Sequence, residues 1–428
     1  MNKNERRRKI DRLENALIVL LVCTALVLIG RSELFRGAAG AGSGTGAQTV
    51  FTGVQDTALS RGLPVRLVVQ TGQGRYGVQY DRARTVGLYR DDGLQELLLQ
   101  AVDDMSTAKS STKEDWQEAL SQTGSWVYYD FLYNISFTSR NDEEEGEGRR
   151  FLITTRSGRA DRLYYYNDET KDYYVSQLRD NLSFPVSLLE LPDNGAQFAF
   201  EVPEVASLLA PDMLMLNETP YCPVYRVSNP LQQLDEAGRQ ALASALDFNL
   251  RAAAVYEAAD GTVIQEGADT LRLQKNGKLT FHGAESGQAR YQALSAREKD
   301  LQIKAEEILN GLSGDWMGDG RMCCQSIETL EDGTVSLTFC YLLNNTPVQL
   351  WGEGWSAQFL FEGREVTSFF LYLRQYTLAD RSQQVLPERQ AAAAADALGQ
   401  TGKELQLCYP DDGVATELTA EWIVREET

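Results

Sequence analysis

Residues 331–348 read EDGTVSLTFCYLLNNTPV, and this stretch decides the fold class. Val335, Leu337, Phe339 and Tyr341 alternate with Thr334, Ser336, Thr338 and Cys340. That period of two marks an antiparallel strand with one face in a core. The Glu331-Asp332-Gly333-Thr334 turn that opens it is of the Asp-Gly type that favours tight hairpins. Upstream, helical spacing runs from Ser295 to Leu312, and downstream further strands are expected at Ser356–Phe361 and Glu365–Tyr376.

The same order occurs once before. A helix is expected over Leu234–Asn249, followed by β-segments that meet at Ala259-Asp260-Gly261 and at Lys275-Asn276-Gly277-Lys278. Two related α+β units result, at 197–288 and 289–428. The second closes with a helix of high propensity, Glu388–Leu398, and strands at Glu404–Tyr409 and Leu418–Val424.

A first α+β unit occupies 50–196. Leu63–Gln70 and Ser125–Phe131 are β-branched and aromatic, whereas Leu94–Met105 and Lys113–Gln122 have helical spacing. Ser111-Thr112-Lys113-Glu114 has the Ser-x-x-Glu form of a capping box. Asn141–Arg150, NDEEEGEGRR, reads as an acidic hairpin tip in solvent, with a calcium loop as the less favoured alternative. Tyr128, Tyr129, Tyr133, Tyr164, Tyr165, Tyr166, Tyr173 and Tyr174 either pack within strands or offer a stacking platform for sugars or a partner.

The chain of 428 residues is long enough for two or three such units, at about 100–200 residues each. Hydrophobic residues at 43% and charged ones at 24% describe a globular body rather than a disordered or polytopic chain. Acidic residues outnumber basic ones by 61 to 41, and the net charge of −20 argues against nucleic-acid binding.

The N-terminus departs from this composition. Lys3, Arg6, Arg7, Arg8, Lys9 and Arg12 precede an apolar run from Ala16 to Gly30. As a helix the run spans roughly 22 Å, short of a hydrocarbon core of about 30 Å, so flanking residues must extend it and arginines must snorkel. A cleaved secretory signal is the competing reading, but Arg31, Glu33 and Arg36 separate the run from the small residues beyond it. A retained single-pass anchor over 1–36 is therefore expected, with the basic segment cytoplasmic and the rest of the chain extracytoplasmic. Ala16, Cys23, Thr24 and Gly30 form a row of small or weakly polar groups on that helix, either a docking face for a partner helix or a chance distribution. Residues 37–49 begin GAAGAGSGTG, a flexible tether without the Lys-Ser/Thr of a phosphate loop.

Little points to catalysis. His282 is the only histidine and sits in LTFHG without a Gly-x-Ser-x-Gly elbow elsewhere. Cys23, Cys222, Cys323, Cys324, Cys340 and Cys408 show no C-x-x-C spacing, so no metal, redox centre or cofactor is expected. Adjacent Cys323 and Cys324 face opposite sides of a strand, and pairing of either with Cys340 across the hairpin is the alternative to buried free thiols, the simpler reading. Asp315 and Asp319-Gly320 read as a turn, and scattered carboxylates give no acid/base pair for an envelope hydrolase.

Three stretches carry a resemblance. Asp269-Thr270-Leu271-Arg272-Leu273 with Asn276-Gly277-Lys278-Leu279, then Phe339-Cys340-Tyr341-Leu342-Leu343-Asn344-Asn345-Thr346-Pro347-Val348, and finally Glu421-Trp422-Ile423-Val424 are similar to sequences of the YycH/YycI family. Asn345 stands where that family's hairpin is expected to carry glycine. The layout of basic tail, single membrane helix and large α+β ectodomain also resembles that family. The resemblance implies a non-catalytic accessory regulator of a WalK-type, cell-wall-sensing sensor histidine kinase in Gram-positive bacteria. Its partners would be the kinase, membrane lipid and a sister YycH/YycI-type protein. An anchored binding module for a wall glycan or peptide is the alternative.

Overall fold

Alternation along one long strand explains how the first part of the chain builds its core. The computed structural model describes residues 62–425, except 72–75, 80–81, 140–144, 180–181, 185–192, 207, 210–212, 216–220, 285–288, 352–353 and 401–403. Its first sheet comprises β1 (Arg66–Thr71), β2 (Tyr76–Gln79), β3 (Lys109–Ser111), β4 (Ser125–Thr138), β5 (Glu145–Arg156), β6 (Arg159–Tyr166) and β7 (Tyr173–Gln177). They lie in the order β2-β1-β4-β5-β6-β7-β3, every pair antiparallel. Val127, Tyr129 and Phe131 of β4 face one way, onto Leu94, Leu97, Leu98 and Ala101 of α1 (Leu94–Asp104). Trp126 and Tyr128 face the other way, onto Trp116, Ala119 and Leu120 of α2 (Lys113–Ser121) and onto Phe198.

A helix on each face accounts for the tyrosines. Tyr128, Tyr129, Tyr164, Tyr165 and Tyr166 are buried, Tyr165 stacks on Tyr174 with centroids 4.8 Å apart, and the Tyr129 hydroxyl donates to the Leu94 carbonyl at 3.0 Å. These rings are core side chains, not an exposed platform. The capping box sits one residue later than its sequence pattern suggests. Thr112 is the N-cap, its hydroxyl accepting from Asp115 N–H while the Asp115 carboxylate accepts from Thr112 N–H.

The chain then forms a two-stranded ribbon, β8 (Gln197–Phe198) with β9 (Leu214–Met215), followed by β10 (Tyr221–Ser228) and α3 (Glu236–Ala245). A meander follows: β11 (Ala254–Ala258), β12 (Gly261–Glu266), β13 (Asp269–Gln274) and β14 (Lys278–His282). After α4 (Glu298–Asn310) come β15 (Arg321–Thr329), β16 (Val335–Leu343), β17 (Thr346–Leu350), β18 (Ala357–Glu362), β19 (Glu365–Tyr372) and β20 (Gln375–Gln384). The chain ends with α5 (Glu388–Ala397), β21 (Glu404–Asp411), β22 (Glu417–Leu418) and β23 (Glu421–Arg425).

Both helix-plus-strand runs share one sheet, because β14 pairs antiparallel with β19, Lys278 opposite Tyr372 through His282 opposite Ser368. The order is β11-β12-β13-β14-β19-β18-β16-β17-β21-β23, with β15 on β16, so the stretches 197–288 and 289–428 contribute to one core. Stacked rings run across the junction. Phe281 of β14 lies on Phe369 of β19 at 5.1 Å, and Phe369 lies on Phe359 of β18 at 4.9 Å. Leu301, Ala305 and Leu309 of α4 and Leu242 of α3 belong to the same core. The structure is thus a mixed α+β body built mostly of antiparallel sheet.

β16 differs from its sequence reading. Leu337, Phe339 and Tyr341 enter the core as expected, but Ser336, Thr338 and Cys340 on the opposite face are buried as well. Val65, just before β1, and Leu132, where the β4–β5 register shifts, pack over Cys340, and the Tyr133 hydroxyl donates to its sulfur at 3.5 Å. Short polar side chains suit a strand covered by a second sheet, which a single-strand pattern cannot reveal. The register sets Cys323 opposite Cys340 and Cys324 opposite Phe339, and all five described cysteines are free thiols. His282 is exposed at the β14 end, and Asp319 lies in a turn that its carboxylate ties to β20 by accepting from Leu378 N–H at 2.7 Å.

At Gly261, just after the Ala259-Asp260 turn, a Cβ would stand 1.9 Å from the Leu273 carbonyl oxygen of β13. Gly261→Ala is expected to lower stability by on the order of 2 kcal/mol, because the neighbouring ladder must shift. Urea unfolding measures the loss, and an unchanged midpoint would contradict the β12–β13 register.

Candidate functional site

Two arginines that the sequence places at a solvated loop tip are instead buried. Glu145–Arg156 is strand throughout, and its glycines explain how: a Cβ at Gly146 would lie 2.6 Å from the Phe137 ring, and one at Gly148 2.9 Å from Phe151. With those rings drawn across the glycines, Arg149 and Arg150 fall inside the protein, 2% and 3% exposed.

Both meet Glu404, at the start of β21. Arg149 donates from Nη1 and Nη2 to the two Glu404 carboxylate oxygens at 2.8 and 2.7 Å, and Arg150 Nη2 lies 3.0 Å from Glu404 Oε2. Arg149 Nε donates to the Phe131 carbonyl at 3.1 Å, and its Nη1 reaches Asp168 at 3.3 Å. Arg425 of β23 pairs with Asp168 at 2.8 Å, and Arg66 of β1 pairs with the buried Asp130 of β4. Four guanidiniums thus face three carboxylates, drawn from β1, β4, β5, the β6–β7 turn, β21 and β23.

Electrostatics follow from that count. Burial pushes the Glu404 carboxyl up, but Arg149, Arg150 and Arg425 outweigh it and hold the group well below its ordinary value. Asp168 behaves alike: desolvation raises it, and Arg149, Arg425 and Arg150 bring it down below normal. Desolvation lowers Arg149, yet Glu404 and Asp130 raise it further than burial depresses it. Arg425 is lowered by burial and by the neighbouring Arg149. Glu404 and Asp168 are thus held as carboxylates opposite the guanidiniums that surround them.

Beside the cluster lies a cavity of about 310 Å³. It occupies a fork in the sheet. β17 and β21 run parallel only from Val348 to Leu350 against Tyr409 to Asp411, and upstream of these pairs they diverge. Asn344 and Asn345, with φ of 46° and 64°, make the β16–β17 turn and form one wall. Left-handed backbone at two successive residues is the requirement of this hairpin, and asparagine meets it nearly as well as the expected glycine. Leu405–Leu407 form the second wall, and Leu132 with Arg149 reach in from the first sheet. The closed end of the fork is fixed by a second buried pair, Arg374 donating to Asp411 at 2.9 and 2.8 Å.

Neither the cluster nor the cavity contains the residues expected to contact a partner or to orient the chain, although Asn344–Pro347 and Trp422, which carry part of the resemblance, line the cavity. Ala16, Cys23, Thr24 and Gly30, and the basic Lys3, Arg6, Arg7, Arg8, Lys9 and Arg12, lie outside the described residues. Among the described residues no helix is long and apolar enough to cross a membrane, and no group of three or more His, Cys, Asp or Glu is placed to hold a metal ion. The available signal for the cluster is Arg149-Arg150 running directly into the apolar Phe151-Leu152-Ile153, since charges inside a buried strand require partners. Their partner, Glu404, lies 255 positions away from Arg149. No family model, curated protein or solved structure matches the chain.

Glu404→Gln leaves Arg149, Arg150 and Arg425 around a neutral amide, and the expected cost is about 3–5 kcal/mol. The variant also changes the acid limb. Because the folded-state value of Glu404 lies below its ordinary 4.5, its contribution is complete above that pH and is lost as pH falls through the folded value. Urea unfolding between neutral and strongly acid pH should therefore show a shallower acid decline for Glu404→Gln than for the wild type. Superimposable pH dependences would contradict the assignment.

Proposed function

We propose that the protein is a non-catalytic, membrane-anchored extracytoplasmic regulator that biases a cell-wall-sensing sensor histidine kinase. The observation that carries this reading is the order of the N-terminus: a basic segment, the apolar run Ala16–Gly30, a glycine-rich tether and then a large α+β body. That order anchors the chain once, with the N-terminus cytoplasmic. The similarity of residues 269–279, 339–348 and 421–424 to YycH/YycI sequences supplies the kinase and a sister protein as partners. The meander β11–β14 and the strands that follow α4 join where β14 pairs with β19.

Regulation without chemistry requires differential binding. A partner with equal affinity for both signalling states shifts neither, whereas a preference of about 1.4 kcal/mol changes their ratio tenfold. The small face Ala16, Cys23, Thr24 and Gly30 is the proposed contact with the kinase helices. The cavity between β17 and β21 favours the second reading, an anchored binding module, in which the body captures an envelope ligand.

Replacing Thr24 or Gly30 with leucine should change kinase-dependent reporter output several-fold, with little effect from Leu20→Ala on the lipid-facing side. Unaltered output and unaltered co-purification with the kinase in both small-face variants would reject the proposed contact.

A further inference from the structure

The cavity in the β17–β21 fork contains hydrogen-bond donors without oxygen acceptors. The side chain of Asn345 is 6% exposed, lines the cavity, and its Nδ2 has no acceptor among the described residues. On the facing wall, the backbone N–H of Leu405 donates to the thioether sulfur of Met213 at 3.4 Å. Sulfur of this kind is a weak acceptor, and a buried donor held by it gains from an oxygen.

Strand pairing points the same way. Glu404–Cys408 pair with β23 along one edge, and among the described strands the other edge of β21 acquires a partner only from Tyr409 onward. Such a half-open edge is the substrate of strand addition, in which main-chain groups supply affinity and pockets for alternate side chains supply selectivity. The walls provide those pockets through Val65, Leu132, Pro347 and Leu407.

Charge limits what enters. Arg66 and Arg149 are already committed to Asp130 and Glu404, and the buried Glu388 brings a further carboxylate to the wall. An anionic ligand would meet two carboxylates and no uncommitted guanidinium among these groups. A sugar would bring a hydroxyl on nearly every carbon, while the Tyr409 hydroxyl is spent on the Pro223 carbonyl and the Trp422 indole N–H on that of Leu386. An amide chain matches: one carbonyl oxygen accepts from Asn345, and another replaces the Met213 sulfur as acceptor for the Leu405 N–H, the thioether moving aside.

We infer that the fork between β17 and β21 is a binding site for a short, extended, uncharged peptide segment, which enters the cavity beside Asn345 and adds to the open edge of β21. This goes beyond the regulatory reading and stands without it, since it concerns the ligand the body holds and not the effect on a kinase.

The test uses the full-length protein in lipid nanodiscs with a pool of N-acetylated, C-amidated tetrapeptides of randomised uncharged residues. A pool of neutral oligosaccharides is offered in parallel, and retained molecules are read by mass spectrometry. Peptides should be retained, and retention should fall tenfold or more in Asn345→Asp, which replaces the donor by an acceptor of equal size and keeps the left-handed backbone. Thr346→Phe, which fills the cavity from the neighbouring position, should lower retention to the same extent. Melting temperatures establish that each variant is folded, and either folded variant decides the outcome. Retention of no peptide above empty nanodiscs, retention of oligosaccharides alone, or equal retention by the folded variants would overturn the inference.

Discussion

The structure depends on β21 being held at both ends by carboxylates gripped by buried arginines. Glu404 at its start is gripped by Arg149 and Arg150 of the first sheet, and Asp411 at its end is gripped by Arg374. Each grip is a two-pronged guanidinium–carboxylate contact, whose planar geometry tolerates little displacement. The benefit is less in net stability than in uniqueness of arrangement, because burying ions costs nearly what their attraction returns. An apolar contact would let the first sheet slide over β16, whereas the Arg149–Glu404 pair permits one docking.

From that constraint the remaining features follow. The first sheet, covered by α1 on one face and α2 on the other, reaches the second sheet at the irregular stretch of β4, where Leu132 and Tyr133, with Val65, cover Cys340. β17 joins β21 in parallel only beyond the cavity, so fixing both ends of β21 keeps the fork open. The same strand thus connects the two sheets and lines the cavity. In a chain of net charge −20 the cluster is locally rich in arginine, with Asp130, Asp168 and Glu404 drawn inward as counterions.

Much of this fold was legible where contacts are local. The helix expected at Leu94–Met105 forms over Leu94–Asp104, and the turns at Asp260, Asn276-Gly277 and Asp332-Gly333 join the strands they were expected to join. Periodicity and turn chemistry suffice for such elements because the deciding residues are neighbours in sequence. Legibility ended where distant segments decide. The polar face of β16 read as solvent-facing because the covering sheet lies some 200 residues upstream, and Arg149-Arg150 read as a loop tip because Glu404 is farther still. The tyrosines were ambiguous for the same reason: only the second helix, α2, shows that both faces of their sheet are covered. The anchor expected at 1–36 lies outside the described residues, whereas the fork arises from a parallel pair that no local signal announces.

The proposed regulatory role depends on what the proposed anchor touches. Photocrosslinking in living cells, with the reactive group placed at Thr24 and at Leu20 in separate strains, measures this directly. The account predicts that Thr24 captures a sensor histidine kinase, that Leu20 captures chiefly lipid, and that the captured chain still carries its N-terminal basic segment. Recovery of a freely released protein beginning beyond Phe35, or capture of lipid alone from both positions, would contradict it.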